Sequence, residues 1–166
     1  PTWQTLHQVA ATLGADVPVC LTATPAWVSG WGQHVVPASE VPRVSVCLVH
    51  PPFTVSTAEA YGRLEASSLD QVPARPRTPG TPEALATLVE NDFWPGLRRR
   101  HPALDAPRRQ LAALGAIAVG LSGSGPTLFG LFRDPAAARR AAAALARQGH
   151  AARGCQVATA PTSLEK

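Results

Sequence analysis

Two short stretches carry residue types that could do chemistry. The first is Leu13-Gly14-Ala15-Asp16-Val17-Pro18-Val19, where one acidic residue stands between a glycine and a proline. A carboxylate so placed can be aimed at a substrate hydroxyl, as general base or as orienter. The same Asp16 can cap a short helix whose early turn holds Pro18, its oxygens accepting from backbone N–H groups. The two uses compete for the same oxygens, and both stay open. The second stretch is Ser122-Gly123-Ser124-Gly125-Pro126. It has no Gly-Lys-Ser/Thr, so it is no Walker A loop, and a strand follows it where a dinucleotide fingerprint needs a helix. Two readings remain. One is a strand-joining turn with two glycines at positive φ. The other is a loop of small residues whose backbone N–H groups can approach an anionic group.

The elements that must position these stretches follow from pattern and punctuation. Leu6, Val9, Ala10 and Leu13 share one helical face, and Gly14 suits the positive φ just past a helix end. Ala26 to Gly32, with Gly30 and Gly32 marking a bulge or bend, is expected to pair with Gln33 to Pro37. Glu40-Val41-Pro42 reads as a linker. Arg43 to His50 is a strand, stopped by Pro51-Pro52. Ser56 caps the next helix, and Glu59 three residues on completes a capping box. Ser67 to Pro82, rich in Ser, Pro and Gly, is expected to be an exposed loop. Helices are expected over Thr81 to Glu90, around Leu97, and from an Asp105 cap through Leu111 and Leu114 to Gly115. Ile117 to Leu121 and Thr127 to Phe132 are strands. Asp134 caps a helix that starts at Pro135 and ends at Gly149. Gly154 to Ala160 is a last strand, and Thr162 to Lys166 a frayed tail. From Arg43 onward, with the inserted helices set aside, the order is βαββαβ, so the expected class is α+β with a ferredoxin-like arrangement.

Composition narrows the function classes. The 166 residues are 45% hydrophobic, enough for a sizeable core, and carry a net charge of +4. Almost all the positive charge is arginine, the only lysine being Lys166. The densest cluster is Arg98, Arg99, Arg100 and His101, with Arg108 and Arg109 nearby. It has no interleaved aromatics and matches no nucleic-acid-binding signature, so the arginines read as solvated faces and no nucleic-acid partner is expected. Cys20, Cys47 and Cys155 are odd in number and lack CxxC spacing, which argues against a zinc or redox pair. Cys20 and Cys47 lie in apolar stretches and are expected in the core of a cytoplasmic protein. No apolar run is long enough to span a bilayer, and no membrane partner is expected.

In order and spacing, the Leu13 to Val19 stretch, the Val55 to Tyr61 run, Asn91-Asp92-Phe93 and the Leu121 to Gly130 segment together resemble one family, the GHMP kinases. Within it they resemble the C-terminal part of the kinases that act on 4-diphosphocytidyl-2-C-methyl-D-erythritol in non-mevalonate isoprenoid biosynthesis. The resemblance implies ATP-dependent phosphorylation of a 2-hydroxyl, with Mg2+ expected alongside ATP and no protein metal ligand assigned. It implies Asp16 as the catalytic base, Tyr61 as the aromatic that stacks on the substrate cytosine, and Thr57, one turn earlier, in the same cleft. Gly123, Ser124 and Gly125 match the superfamily's glycine motif beside the active site. The family's ATP-binding glycine loop and catalytic lysine precede the aspartate, and neither has a counterpart here. Residues 1–42 are therefore expected to be the remnant of an N-terminal domain, 43–162 the C-terminal domain and 163–166 a tail, with the isolated chain inactive and Trp3, Trp27 and Trp31 partly uncovered. Two alternatives stand beside this: another GHMP small-molecule kinase, of homoserine or mevalonate type, or a stand-alone ferredoxin-like binding module. The binding module predicts a packed Leu6 to Leu13 helix with no exposed apolar face.

Overall fold

A computed structural model describes residues 2–22, 24–30, 32, 34–38, 41–64 and 78–157. The loop expected over Ser67 to Pro82 lies largely outside these residues, as do Trp31, Gln33, Glu40, Ala158 to Ala160 and the tail. The described residues form two compact units, one within 2–41 with 78–79, the other over 42–64 and 80–157.

In the first unit, α1 (Trp3–Leu13) is capped by Thr2, whose hydroxyl accepts from the Thr5 amide. The short α2 (Val17–Cys20) follows, and β1 (Ala26–Ser29) pairs antiparallel with β2 (His34–Pro37), Ser29 opposite His34. Gly30 and Gly32 take positive φ between the strands, as the bend requires. Two expectations are corrected here. Gly14 has φ 163°, an extended conformation open to any residue, and the chain then turns at Ala15 and Asp16 into the next helix. Cys20 is exposed, because the four residues of α2 turn it away from the buried Pro18. Trp3 (55% exposed), Leu6, Val9 and Leu13 (72%) leave an apolar stripe uncovered on α1. This runs against the prediction of the stand-alone module. Trp27 is half-buried.

The second unit is a four-stranded antiparallel sheet in the order β4-β5-β3-β6. Its strands are β3 (Ser45–His50), β4 (Ala118–Leu121), β5 (Leu128–Phe132) and β6 (Ala151–Gln156). Along β3, Ser45, Cys47 and Val49 are buried and alternate with half-buried neighbours, the period of a strand that covers a core on one face. Helix α7 (Pro135–Arg147) lies over the sheet, with Ala138, Ala141, Ala142 and Leu145 forming its buried stripe. Alanines bring its backbone so close to β6 that a Cβ on Gly154 would sit 2.9 Å from the Ala138 carbonyl group. The helix starts as its sequence requires: Asp134 accepts from the Ala137 amide at 2.8 Å and Pro135 occupies the first turn. Gly149 follows its end at φ 87°.

Helix α3 (Thr57–Tyr61) follows β3, and α4 (Pro82–Ala86), α5 (Phe93–Arg100) and α6 (Asp105–Ala113) are inserted between it and β4, with a 3-10 turn at Pro102–Leu104. Leu97, Leu104 and Leu111 from this group join Cys47, Val49, Leu121, Leu128 and Phe132 in one core. Truncating a side chain as buried as Phe132 to alanine costs about 3–5 kcal/mol. The mixed α+β order with antiparallel strands is the expected βαββαβ. Three of its boundary differences are instructive. Helix α4 stops at Ala86, well short of Glu90, because the Leu88 and Val89 amides bond three residues back, to Leu85 O at 3.0 Å and Ala86 O at 3.3 Å, in a turn. Asp105 sits inside α6 rather than capping it, because its carboxylate is drawn into a two-pronged pair with Arg98 at 2.8 and 3.2 Å. Strand β6 starts at Ala151, three residues before Gly154, because it pairs with β3 as far as His50.

Candidate active site

Ser56 opens α3, its hydroxyl accepting from the Glu59 amide at 3.3 Å. That fixes the helix on which Thr57 and Tyr61 stand one turn apart. Tyr61 is 60% exposed, and its ring packs nearly perpendicular to that of Phe93, with centroids 4.9 Å apart at 78°.

The glycine loop joins β4 to β5. Ser122 and Thr127 close it with a backbone bond of 2.9 Å, and the Gly125 amide donates to Ser122 O at 3.0 Å. Gly123 and Gly125 take φ 54° and 89°, so the turn reading of this loop holds at both glycines. Gly125 is also confined in space, since a Cβ there would lie 2.7 Å from Leu97 Cδ2. The loop brings the Ser124 hydroxyl to 3.0 Å from that of Thr57. Thr57, Tyr61 and Gly123 to Gly125 thus assemble at one place in the second unit.

Asn91 has no role in the sequence reading beyond its place in the Asn91-Asp92-Phe93 motif, yet it ties this place together. Its Nδ2 donates to Leu121 O at 3.0 Å and to Gly123 O at 2.9 Å, while its Oδ1 accepts from the Phe93 amide at 2.9 Å. Asp92, next to it, makes no side-chain cap. The available signal was an Asn two residues before an apolar helix start, the position of an Asx turn.

A cleft of about 530 Å³ opens beside these residues, with Asn91 and Ser124 on its wall, Leu97, Val119 and Leu121 among its apolar lining, and Arg63, Arg99, Arg100 and Arg108 at its polar side. Arg108 also stacks over Trp94 at 5.4 Å. Arg98, Arg99, Arg100, Arg108 and Arg109 are all exposed, as expected of solvated faces.

Asp16 belongs to the first unit. It is exposed, its backbone is helical, and its side chain makes no capping bond to α2. The helix-cap alternative is thereby corrected: with Pro18 in the first turn, α2 offers its N-terminus fewer amides to accept from. The Asp16 turn is itself closely held. The Val17 amide donates to Gly14 O at 3.2 Å, and a Cβ on Gly32, at φ 97°, would overlap the Ala15 carbonyl oxygen. Among the described residues no group of three or more His, Cys, Asp or Glu could hold a metal ion, and no helix is long and apolar enough to cross a membrane.

Comparison with known proteins bears on the fold and the family. The chain is 38% identical over 138 residues to the 4-diphosphocytidyl-2-C-methyl-D-erythritol kinase of Geobacter sp. (strain M21), covering 83% of this chain and 49% of that one. It is 39% identical over 144 residues to the kinase of the same name from Rhizobium johnstonii, covering 86% and 48%. The family described as GHMP kinases C terminal matches residues 71–151. The chain carries a GHMP kinase C-terminal domain. A crystal structure of 4-(cytidine 5'-diphospho)-2C-methyl-D-erythritol kinase superposes on it with a TM-score of 0.74 at 32% identity, covering 91% of this chain and 56% of that one. A homoserine kinase from Cytophaga hutchinsonii shares the fold, with a TM-score of 0.52 at 19% identity. The chain spans about half the length of the curated relatives it matches. The expected GHMP fold thus stands on both the sheet order and the relatives.

Proposed function

We propose that this GHMP kinase segment serves ATP-dependent phosphorylation of the 2-hydroxyl of 4-diphosphocytidyl-2-C-methyl-D-erythritol, in the non-mevalonate route to isoprenoid precursors and in the cytoplasm. The observation that carries this reading is the convergence of Thr57, Tyr61 and the Gly123 to Gly125 loop in a domain whose relatives bear that kinase's name. Tyr61 offers a cytosine an exposed aromatic ring that packs against Phe93, and the Thr57 hydroxyl lies one turn away on the same helix. Asp16, an uncapped and exposed carboxylate, orients the substrate hydroxyl and takes its proton. Phosphoryl transfer asks mainly for such positioning. Residues 1–42 are read as the remnant of the family's N-terminal domain and 43–162 as its C-terminal domain. ATP supplies the phosphoryl group. Mg2+ is expected as a companion of the ATP phosphates.

A homoserine- or mevalonate-type substrate would leave the exposed Tyr61 ring nothing to stack on. The deciding experiment complements the chain with the half of a curated relative that it does not span, then measures substrate-dependent ADP formation. Turnover with the cytidylated alcohol, competed by cytidine nucleotides, is the expected result. Indifference to cytidine nucleotides, or turnover only with homoserine or mevalonate, would overturn the reading. The 166-residue chain alone is expected to show no turnover.

A further inference from the structure

Asn91 spends its whole side chain on structure that surrounds the substrate-facing groups. An amide has two N–H donors and one carbonyl acceptor, and here each face has a partner: Leu121 O and Gly123 O on the nitrogen, the Phe93 amide on the oxygen. The Phe93 bond is local and starts α5. The two nitrogen bonds are not local: they cross 30 and 32 residues to the end of β4 and the glycine loop. A residue needed only to start α5 could be Asp, Ser or Thr, all of which supply an acceptor. The extra requirement for two donors singles out the amide.

What the amide joins gives it a role. On one side stands Phe93, whose ring packs against Tyr61. On the other is the loop whose Ser124 hydroxyl meets Thr57. We propose that Asn91 is a positioning residue for phosphoryl transfer: it sets the glycine loop, and with it the Ser124 and Thr57 hydroxyls, at a fixed spacing from the Phe93 and Tyr61 rings. The proposal rests on the kinase reading above. Asn91 acts through these neighbours and makes no bond to the reacting atoms.

Asn91→Asp is the sharp test, because it keeps shape and acceptor while removing both donors and setting a carboxylate oxygen against two carbonyl oxygens. Asn91→Ser, which keeps an acceptor and adds no charge, serves if the first variant folds poorly. Amide hydrogen exchange is measured on the 166-residue chain. The Ser122 and Gly125 amides are expected to exchange about tenfold faster or more in the variants, with those of β3 and α7 unchanged. In the complemented kinase, kcat per folded molecule is expected to fall on the order of 10- to 100-fold while KM for the cytidylated substrate rises no more than several-fold. Unchanged exchange at Ser122 and Gly125, or a full kcat per folded molecule, overturns the proposal. A complemented wild-type protein without turnover overturns the kinase reading instead, and the exchange rates then decide alone whether Asn91 holds the loop.

Discussion

The hydroxyls of Thr57 and Ser124 meet at 3.0 Å, although 67 residues separate them in the chain. The bond fastens the first turn of α3 to the loop between β4 and β5. It therefore sets where Tyr61, one turn further along α3, stands relative to the loop.

Removing either hydroxyl tests that link. The pair is exposed, so Thr57→Val and Ser124→Ala are each expected to cost under about 1 kcal/mol in urea unfolding, with a coupling of about 0.5 kcal/mol in the double-mutant cycle. In the complemented kinase, KM for the cytidylated substrate should rise several-fold in both. Additive losses, with KM untouched, would show that the bond is incidental.

Asp16 makes no cap bond and is exposed, so its carboxylate should contribute little to folding. Asp16→Asn is expected to leave the unfolding free energy within about 0.5 kcal/mol of wild type. Its kcat should fall on the order of 10²-fold or more in the complemented kinase, as loss of a general base implies. Full activity in that variant would remove Asp16 from the mechanism.

Three glycines separate backbone strain from crowding. Gly115 has φ 93° and open space, with no atom within 4 Å of where a Cβ would stand, so Gly115→Ala should cost about 1–2 kcal/mol from the left-handed backbone alone. Gly125→Ala adds a clash with Leu97, and Gly32→Ala one with the Ala15 carbonyl, raising the expected loss by about 1–3 kcal/mol. Chemical denaturation of the three variants should rank Gly115→Ala the mildest.

Cys47 is fully buried between strands, and burial, with Cys155 nearby, pushes its thiol up to about 11. The neutral thiol is the form that the fold favours. Its contribution is therefore complete below the unfolded thiol value near 9 and is lost as pH rises from there through about 11. The stability gap between wild type and Cys47→Ala should narrow by about 2 kcal/mol over that range. At pH 8 a disulfide reagent should modify exposed Cys20 readily and leave Cys47 unmodified until unfolding. Rapid labelling of Cys47 in the folded chain would contradict its placement.

Much of the second unit was legible in the residues. Asp134-Pro135 opening a helix, Ser56 three residues before Glu59, and two apolar runs around a glycine loop each specify local geometry through short-range bonds. Local grammar failed where another side chain claimed the capping group or where the helix offered few amides to cap. Asp105 looked like a cap and went instead to Arg98, and Asp16 looked like a cap where Pro18 leaves fewer amides to accept from. Cys20 looked like core because its neighbours are apolar, but four helical residues cannot bury every face.

The sequence by itself determined the order of elements, the positive-φ glycines of the loop and the motifs that mark a GHMP kinase, because periodicity, caps and turns depend on near neighbours. Only the tertiary structure decided that Thr57 touches Ser124, that Phe93 packs against Tyr61, and that Asn91 binds the glycine loop to α5. Those contacts join segments about 30 to 70 residues apart. They exist because the inserted helices pack on the β4–β5 edge of the sheet, and no local pattern in the chain specifies that distance.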